Sequence, residues 1–208
     1  MVQVHPFKGV RPAKDLADKV AALPYDVVNS QEARDLAADN PYSYFHIDKA
    51  EIDLPTELSP YDEKVYQKAA ANLAEFLEKG WLFKESDDYF YLYELVMNGR
   101  SQTGIVACTS ISDYIDEKIK KHEFTRHEKE IDRMNHIRTC DANTSPIFLS
   151  YRPQSEIQTI IKTWQKDHQP VYDFTSYHEV THRVWVIDQI ETIDQLTELF
   201  SEVDALYI

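Results

Sequence analysis

The side chains best able to do chemistry crowd into Lys120–Tyr151, KKHEFTRHEKEIDRMNHIRTCDANTSPIFLSY. Arg126, Lys129 and Arg133 recur at three- and four-residue spacing, so on a helix they share one face with Glu130, with Asp132 at its edge. Guanidinium and ammonium groups arrayed in this way can hold a phosphate or a carboxylate, the guanidinium in bidentate fashion. His122, Glu123 and Thr125 come just before the helix, where backbone N–H groups without intrahelical partners can receive an anion. Asp26 follows the rigid Leu23-Pro24-Tyr25 segment and is a further acid outside any obvious helix. Asp26 and Glu123 are the candidate catalytic acids. His122, Thr125, Arg126, Lys129 and Arg133 are the candidate phosphate or nucleotide contacts, and Glu130 and Asp132 the carboxylates that could orient them or bind Mg²⁺. The same spacing also describes a solvated helix laced with i,i+4 ion pairs, and each acid fits a plain ion-pair role equally well.

Other chemistries fit the spacing poorly. His122 and His127 lie five residues apart, so they do not share the helix face that a zincin needs. His178 and His182 have i,i+4 spacing, but Thr181–Ile187 reads as a strand. No structural metal site is expected, and nothing points to zinc, flavin or haem. There is no G-x-S-x-G elbow, no G-x-G-x-x-G and no P-loop. Cys108 and Cys140 have no redox or metal spacing; Cys108 is expected in the core of an apolar strand and Cys140 beside the polar cluster.

The elements that must position these groups follow from capping and periodicity. Thr125 with Glu128 forms a T-x-x-E box that predicts a helix from Arg126, anchored by Ile131, Met134 and Ile137. A second box, Ser155 with Gln158, opens a helix bearing Ile157, Ile160, Ile161 and Trp164. Ser59-Pro60 starts a long helix with Tyr61, Val65, Ala69, Leu73, Phe76 and Leu77 on one stripe, ended by Gly80. Asn29 or Ser30 caps a helix to about Ala38. Tyr89–Met97 and Ser101–Ile111 flank Asn98-Gly99 and predict a β-hairpin, with Tyr89, Tyr91 and Tyr93 on one face. Further strands are expected at Val2–Phe7, Tyr42–Ile47, Ser145–Tyr151, Val171–Phe174 and His182–Ile187. Val27-Val28 should be a strand or its end, Gly9–Pro12 a turn, Asp194–Phe200 a short helix and Ala205–Ile208 the start of a strand. The mixture predicts α/β or α+β with a mixed sheet and flanking helices. One compact region over residues 1–208 is expected, with a sub-boundary near residues 48–60 in an acidic loop.

Composition sets the bounds. Of 208 residues, 43% are apolar and 12% aromatic, enough for a sizeable core. A net charge of −14 opposes general binding to nucleic acid or to an anionic membrane. No segment has signal-peptide or membrane-spanning character, which suggests a cytoplasmic chain.

Lys19–Val28 (KVAALPYDVV), Asn40–Ile47 (NPYSYFHI), Asn98–Cys108 (NGRSQTGIVAC), the Lys120–Tyr151 block and Thr181–Ile187 (THRVWVI) together resemble the bacterial "domain of unknown function 1015" family. Its members are often labelled by likeness to ParB, the chromosome-partition protein. The resemblance implies a ParB/sulfiredoxin-like nucleotide-handling fold, within a superfamily that includes nucleotide-dependent free-serine kinases. ATP or ADP with Mg²⁺ is the implied cofactor, and a small-molecule or nucleotide ligand the implied partner. A homodimer is compatible with it, whereas DNA is disfavoured by the charge and by the lack of a helix-turn-helix. Family members carry an Asp-Gly-His-His-Arg-Tyr segment shortly after the point where this chain stops. The expectation is an N-terminal part of a longer phosphotransferase, with an incomplete fold and no activity alone; the alternative is a ParB-like nucleotide-binding regulatory module.

Overall fold

The computed structural model describes residues 1–122 and 125–208. Along the chain run strands β1 (Val4–His5) and β2 (Val10–Pro12), then helices α1 (Ala17–Val20), α2 (Ser30–Ala37), α3 (Phe45–Asp48) and α4 (Glu63–Glu78). Strands β3 (Leu82–Lys84), β4 (Phe90–Met97), β5 (Arg100–Val106) and β6 (Cys108–Thr109) follow, then α5 (Ile111–Ile115), β7 (Ile119–Lys120), α6 (His127–Cys140) and α7 (Ser155–Asp167). The chain continues through β8 (Tyr172–Thr175), β9 (Thr181–Ile187), α8 (Ile190–Ser201) and β10 (Leu206–Tyr207). Two compact units result. The first comprises Met1–Val10, Lys84–Glu123 and Ile147–Ile208, and the second Arg11–Phe83 and Phe124–Pro146.

The first unit is built on an antiparallel sheet in the order β5-β4-β9-β8. Period-two alternation puts Phe90 and Leu92 on one face of β4. There they join Trp185 and Ile187 of β9 under Ile157, Ile161 and Trp164 of α7 and Ile193, Leu196 and Phe200 of α8. Complete burial of a side chain such as Phe90 or Leu196 contributes about 1.5–3 kcal/mol. Between β4 and β5, Met97 pairs with Arg100 and leaves Asn98 and Gly99 as a two-residue connection with φ of 52° and 74°. Both central residues need positive φ in the turn that matches sheet twist, which asparagine tolerates and glycine adopts freely. On the opposite face of β4, Tyr91 is covered by the Phe7 ring at 5.3 Å, and its hydroxyl accepts from the Gly9 N–H at 2.9 Å.

The second unit is mainly helical. The long helix α4 buries Val65, Ala69, Leu73 and Phe76. Ile47 and Val20 pack on Leu73 and Phe76, and Phe45 packs with Ala33 and Ala37 of α2. A capping box opens α2: the Asn29 side chain accepts from the N–H groups of Gln31 and Glu32, and Glu32 accepts from the Asn29 N–H. Helix α4 is capped by Asp62, three residues later than the Ser59-Pro60 pair predicts.

Several sequence expectations are corrected. Tyr42–Ile47 leads into helix α3 instead of forming a strand; Phe45 and Ile47 find helical neighbours, and that packing overrides the β propensity of the aromatics. Val27-Val28 is not a strand: the Val27 N–H closes a turn onto Pro24. Val10–Pro12, expected as a turn, is strand β2 beside β3. Ser145–Tyr151 forms no strand, and its ladder is a single bridge between Ser150 and Tyr207. Helix α7 starts after Gln154 without a side-chain cap. Cys108 is exposed instead of buried in the core; its strand β6 forms a two-stranded sheet with the short β1 among the described residues. Among the described residues no helix is long and apolar enough to cross a membrane.

Candidate functional site

Helix α6 carries the candidate site, and it lies the opposite way from its hydrophobic pattern. Ile131, Met134 and Ile137 are each about 40% exposed, whereas Asp132 and His136 are buried. Polar groups can be buried when they are hydrogen-bonded, and here the partners come from helices distant in sequence. The Tyr66 hydroxyl of α4 donates to Asp132 Oδ1 at 3.1 Å. The Ile47 carbonyl lies 3.0 Å from His136 Nε2 and accepts its N–H. Nδ1 faces Cys140 Sγ at 3.7 Å and Thr144 Oγ1 at 3.3 Å. The helix start also differs from expectation: Arg126 is the N-cap without a side-chain bond, and Thr125 instead donates its hydroxyl to Glu130.

This buried face of α6 floors a cleft of about 470 Å³ within the second unit. Arg133 is its centre. The guanidinium donates to Asp132 Oδ2 through Nε at 3.1 Å and to Asp48 Oδ1 through Nη1 at 3.1 Å, and its Nη2 lies within ion-pair distance of the same Asp132 oxygen, at 3.1 Å. Asp48 also accepts from Ser145 at 2.9 Å and Thr144 at 3.3 Å. Tyr25 lies over the guanidinium, 4.2 Å from its ring centroid, a cation–π contact on the cleft wall. Burial works against the Arg133 charge, but the two carboxylates outweigh it and raise its pKa. Burial and the Asp132 charge push the Tyr66 hydroxyl up to about 12, so it stays a donor. Burial also pushes the Cys140 thiol up to about 11, which keeps it protonated and poorly nucleophilic at neutral pH.

The other charges of the cleft divide into paired and unpaired groups. Lys49 reaches Glu51 at 3.2 Å, and Glu51 also accepts from Ser30 at 2.8 Å. Lys129 donates to the Tyr61 hydroxyl at 3.0 Å, which raises its pKa, and it has no carboxylate within ion-pair distance among the described residues. Arg126 and Asp26 also line the cleft without an ion pair among the described residues. The lining therefore holds two cations and one acid that are not committed to each other, above a floor in which one cation is shared by two anions.

The cleft brings together Asp26, Arg126, Lys129, Asp132 and Arg133 of the residues singled out by sequence. His122 belongs to the first unit, where its Nδ1–H donates to the main-chain oxygen of Ile208. Thr125 and Glu130 bond to each other and do not line the cleft. Glu123 lies outside the described residues. Sequence reasoning missed Asp48, Glu51, Tyr61 and Tyr66, and did not single out His136. Only His136 left a usable sign, its i,i+4 spacing from Asp132. Among the described residues no group of three or more histidine, cysteine, aspartate or glutamate side chains could hold a metal ion.

The family described as "Protein of unknown function (DUF1015)" matches residues 4–208. No curated protein and no solved structure matches the chain.

Proposed function

From the premise that this chain belongs to the DUF1015 family of proteins of unknown function, we propose that the cleft of its second unit binds a small phosphorylated ligand. The reading extends to a nucleotide-dependent phosphotransferase acting on serine or another small hydroxyl metabolite, in the ParB/sulfiredoxin-like manner that the motif resemblance implies. The observation that carries it is the pair Arg126 and Lys129, two cleft cations without ion-pair partners among the described residues in a chain of net charge −14. Such cations have Coulomb energy to offer an incoming anion, about 4 kcal/mol for unit charges 4 Å apart at an effective dielectric of 20.

The floor sets the ligand's polarity. Asp48, Arg133 and Asp132 together carry one net negative charge, so a phosphate is favoured at Arg126 and Lys129, and a hydroxyl or ammonium end toward the floor. Arg133 is a positioning residue in this scheme, because both carboxylates already engage its guanidinium. Asp48 and Asp132 accept several bonds each, which leaves Asp26 as the acid suited to take a proton from a hydroxyl. Mg²⁺ bound with a nucleotide would neutralise charge on the transferring phosphoryl group. One unengaged cleft carboxylate fits its modest demand for protein ligands, since phosphates and water complete the shell.

Calorimetry with ADP, ATP and inorganic phosphate, with and without Mg²⁺, tests binding. Nucleotide consumption across a panel of hydroxyl metabolites tests transfer. Saturable binding with hydroxyl-dependent consumption supports the phosphotransferase. A second reading, a nucleotide-binding regulatory module, is favoured by the full engagement of Asp48 and Asp132 and predicts binding without consumption. Absence of any phosphate-ligand binding defeats both.

A further inference from the structure

The sheet of the first unit carries a separate polar constellation. We propose that Ser176 is a nucleophile activated by His182, and that it accepts acyl groups from small apolar carboxylic esters. Ser176 Oγ lies 2.6 Å from His182 Nε2, and Tyr93 Oη lies 2.6 Å from Nδ1 on the other side of the ring. With Nδ1–H donating to the Tyr93 oxygen, the Nε2 lone pair faces the serine hydroxyl, the arrangement that a general base requires. The ring is fixed by stacking on Phe174, with centroids 5.0 Å apart and planes 13° apart, and on Tyr93 at 5.9 Å and 27°. Burial holds His182 below the ordinary histidine value, so the imidazole is a neutral base at neutral pH.

Register supplies a place for the acyl group. His182 is paired across the sheet with Leu95 on one side and Phe174 on the other. Tyr93, Leu95 and Met97 follow at period two along the same face of β4, each more than a third exposed. An apolar acyl chain laid along Leu95 and Met97 would bring its carbonyl to Ser176. The charged trio Glu94, Asp173 and Arg183 projects from the opposite face by the same alternation and pairs internally at 2.9 and 3.2 Å.

In the step proposed, Ser176 Oγ bonds to the ester carbonyl carbon while its proton moves to His182 Nε2. The carbonyl–oxygen ester bond then breaks, and the leaving alcohol takes that proton. Water, deprotonated by the same nitrogen, hydrolyses the acyl-serine and regenerates the hydroxyl.

The test is the rate of labelling by a fluorophosphonate, with the modified residue located by peptide mass spectrometry. The proposal expects phosphonylation at Ser176, none there in Ser176→Ala, and a rate lowered roughly a hundredfold in His182→Gln. The rate should stay level from pH 8 to 7 and fall only in more acidic solution. Circular dichroism of each variant confirms an unchanged fold, and Leu95→Ala supplies a variant outside the hydrogen-bonded chain, expected to slow hydrolysis of butyryl esters more than of acetyl esters. No label at Ser176, or labelling that His182→Gln leaves unchanged, overturns the proposal.

Discussion

Replacing Arg133 with methionine should destabilise the protein by about 3–5 kcal/mol, the range for breaking a buried ion pair from one side. The magnitude follows from what would remain. Asp132 and Asp48 have side chains 7% and 10% exposed, and the guanidinium gives each of them one hydrogen bond of 3.1 Å. Without it Asp132 keeps Tyr66 and Asp48 keeps Ser145 and Thr144, so both charges stay buried without a counter-ion. Adding Asp48→Asn and Asp132→Asn to Arg133→Met should restore most of the stability, since amides keep hydrogen bonds without charge. Urea unfolding followed by tryptophan fluorescence is the assay. Trp81, packed 4.6 Å from Tyr42 and 5.0 Å from Phe76, reports on the second unit. A loss below about 1 kcal/mol, the size expected of an exposed pair, would refute the reasoning.

Further outcomes follow from single contacts. The His46 ring donates to two acceptors, Asp53 at 2.8 Å from Nδ1 and the Asn40 carbonyl at 3.1 Å from Nε2. The Asp53 bond raises its pKa, with burial opposing, so its contribution to stability is complete below about pH 6.5 and is lost as pH rises through the higher folded value. Urea stability should therefore fall over that rise, and His46→Gln should remove the dependence. Gly9→Ala should cost about 1–3 kcal/mol by thermal melting, because a Cβ there would lie 2.6 Å from Tyr91 Oη; an unchanged melting temperature would contradict it. Iodoacetamide at pH 8 should alkylate exposed Cys108 before Cys140, whose thiol is pushed up to about 11. The reverse order by mass spectrometry would show that Cys140 is not held as described.

The two units differ in how far they could be read from sequence. In the first, α7 packs one stripe on the sheet core, so Ile157, Ile161 and Trp164 announce their own burial. Asn98 and Gly99 take the positive φ for which those residue types are suited. In the second, short helices pack on one another, and Phe45 and Ile47 are buried two residues apart in α3, a spacing that imitates a strand. Helix α6 misleads for a different reason. Its isoleucines and methionine promise a core, yet Asp132 and His136 are the buried residues, because Tyr66 and the Ile47 carbonyl satisfy them. No local pattern reveals partners 66 and 89 residues away. For the same reason Arg126, Lys129 and Arg133 could be singled out as candidates, while Asp48, Tyr61 and Tyr66 could not.

The most direct test is the binding isotherm of ADP with the intact chain and with Arg126→Ala/Lys129→Ala, each paired with a urea-unfolding curve. The account predicts binding to the intact chain, a loss of affinity of at least roughly tenfold in the double variant, and stability changed by no more than about 0.5 kcal/mol. Equal affinity in the two proteins, or no binding by the intact chain, would contradict it.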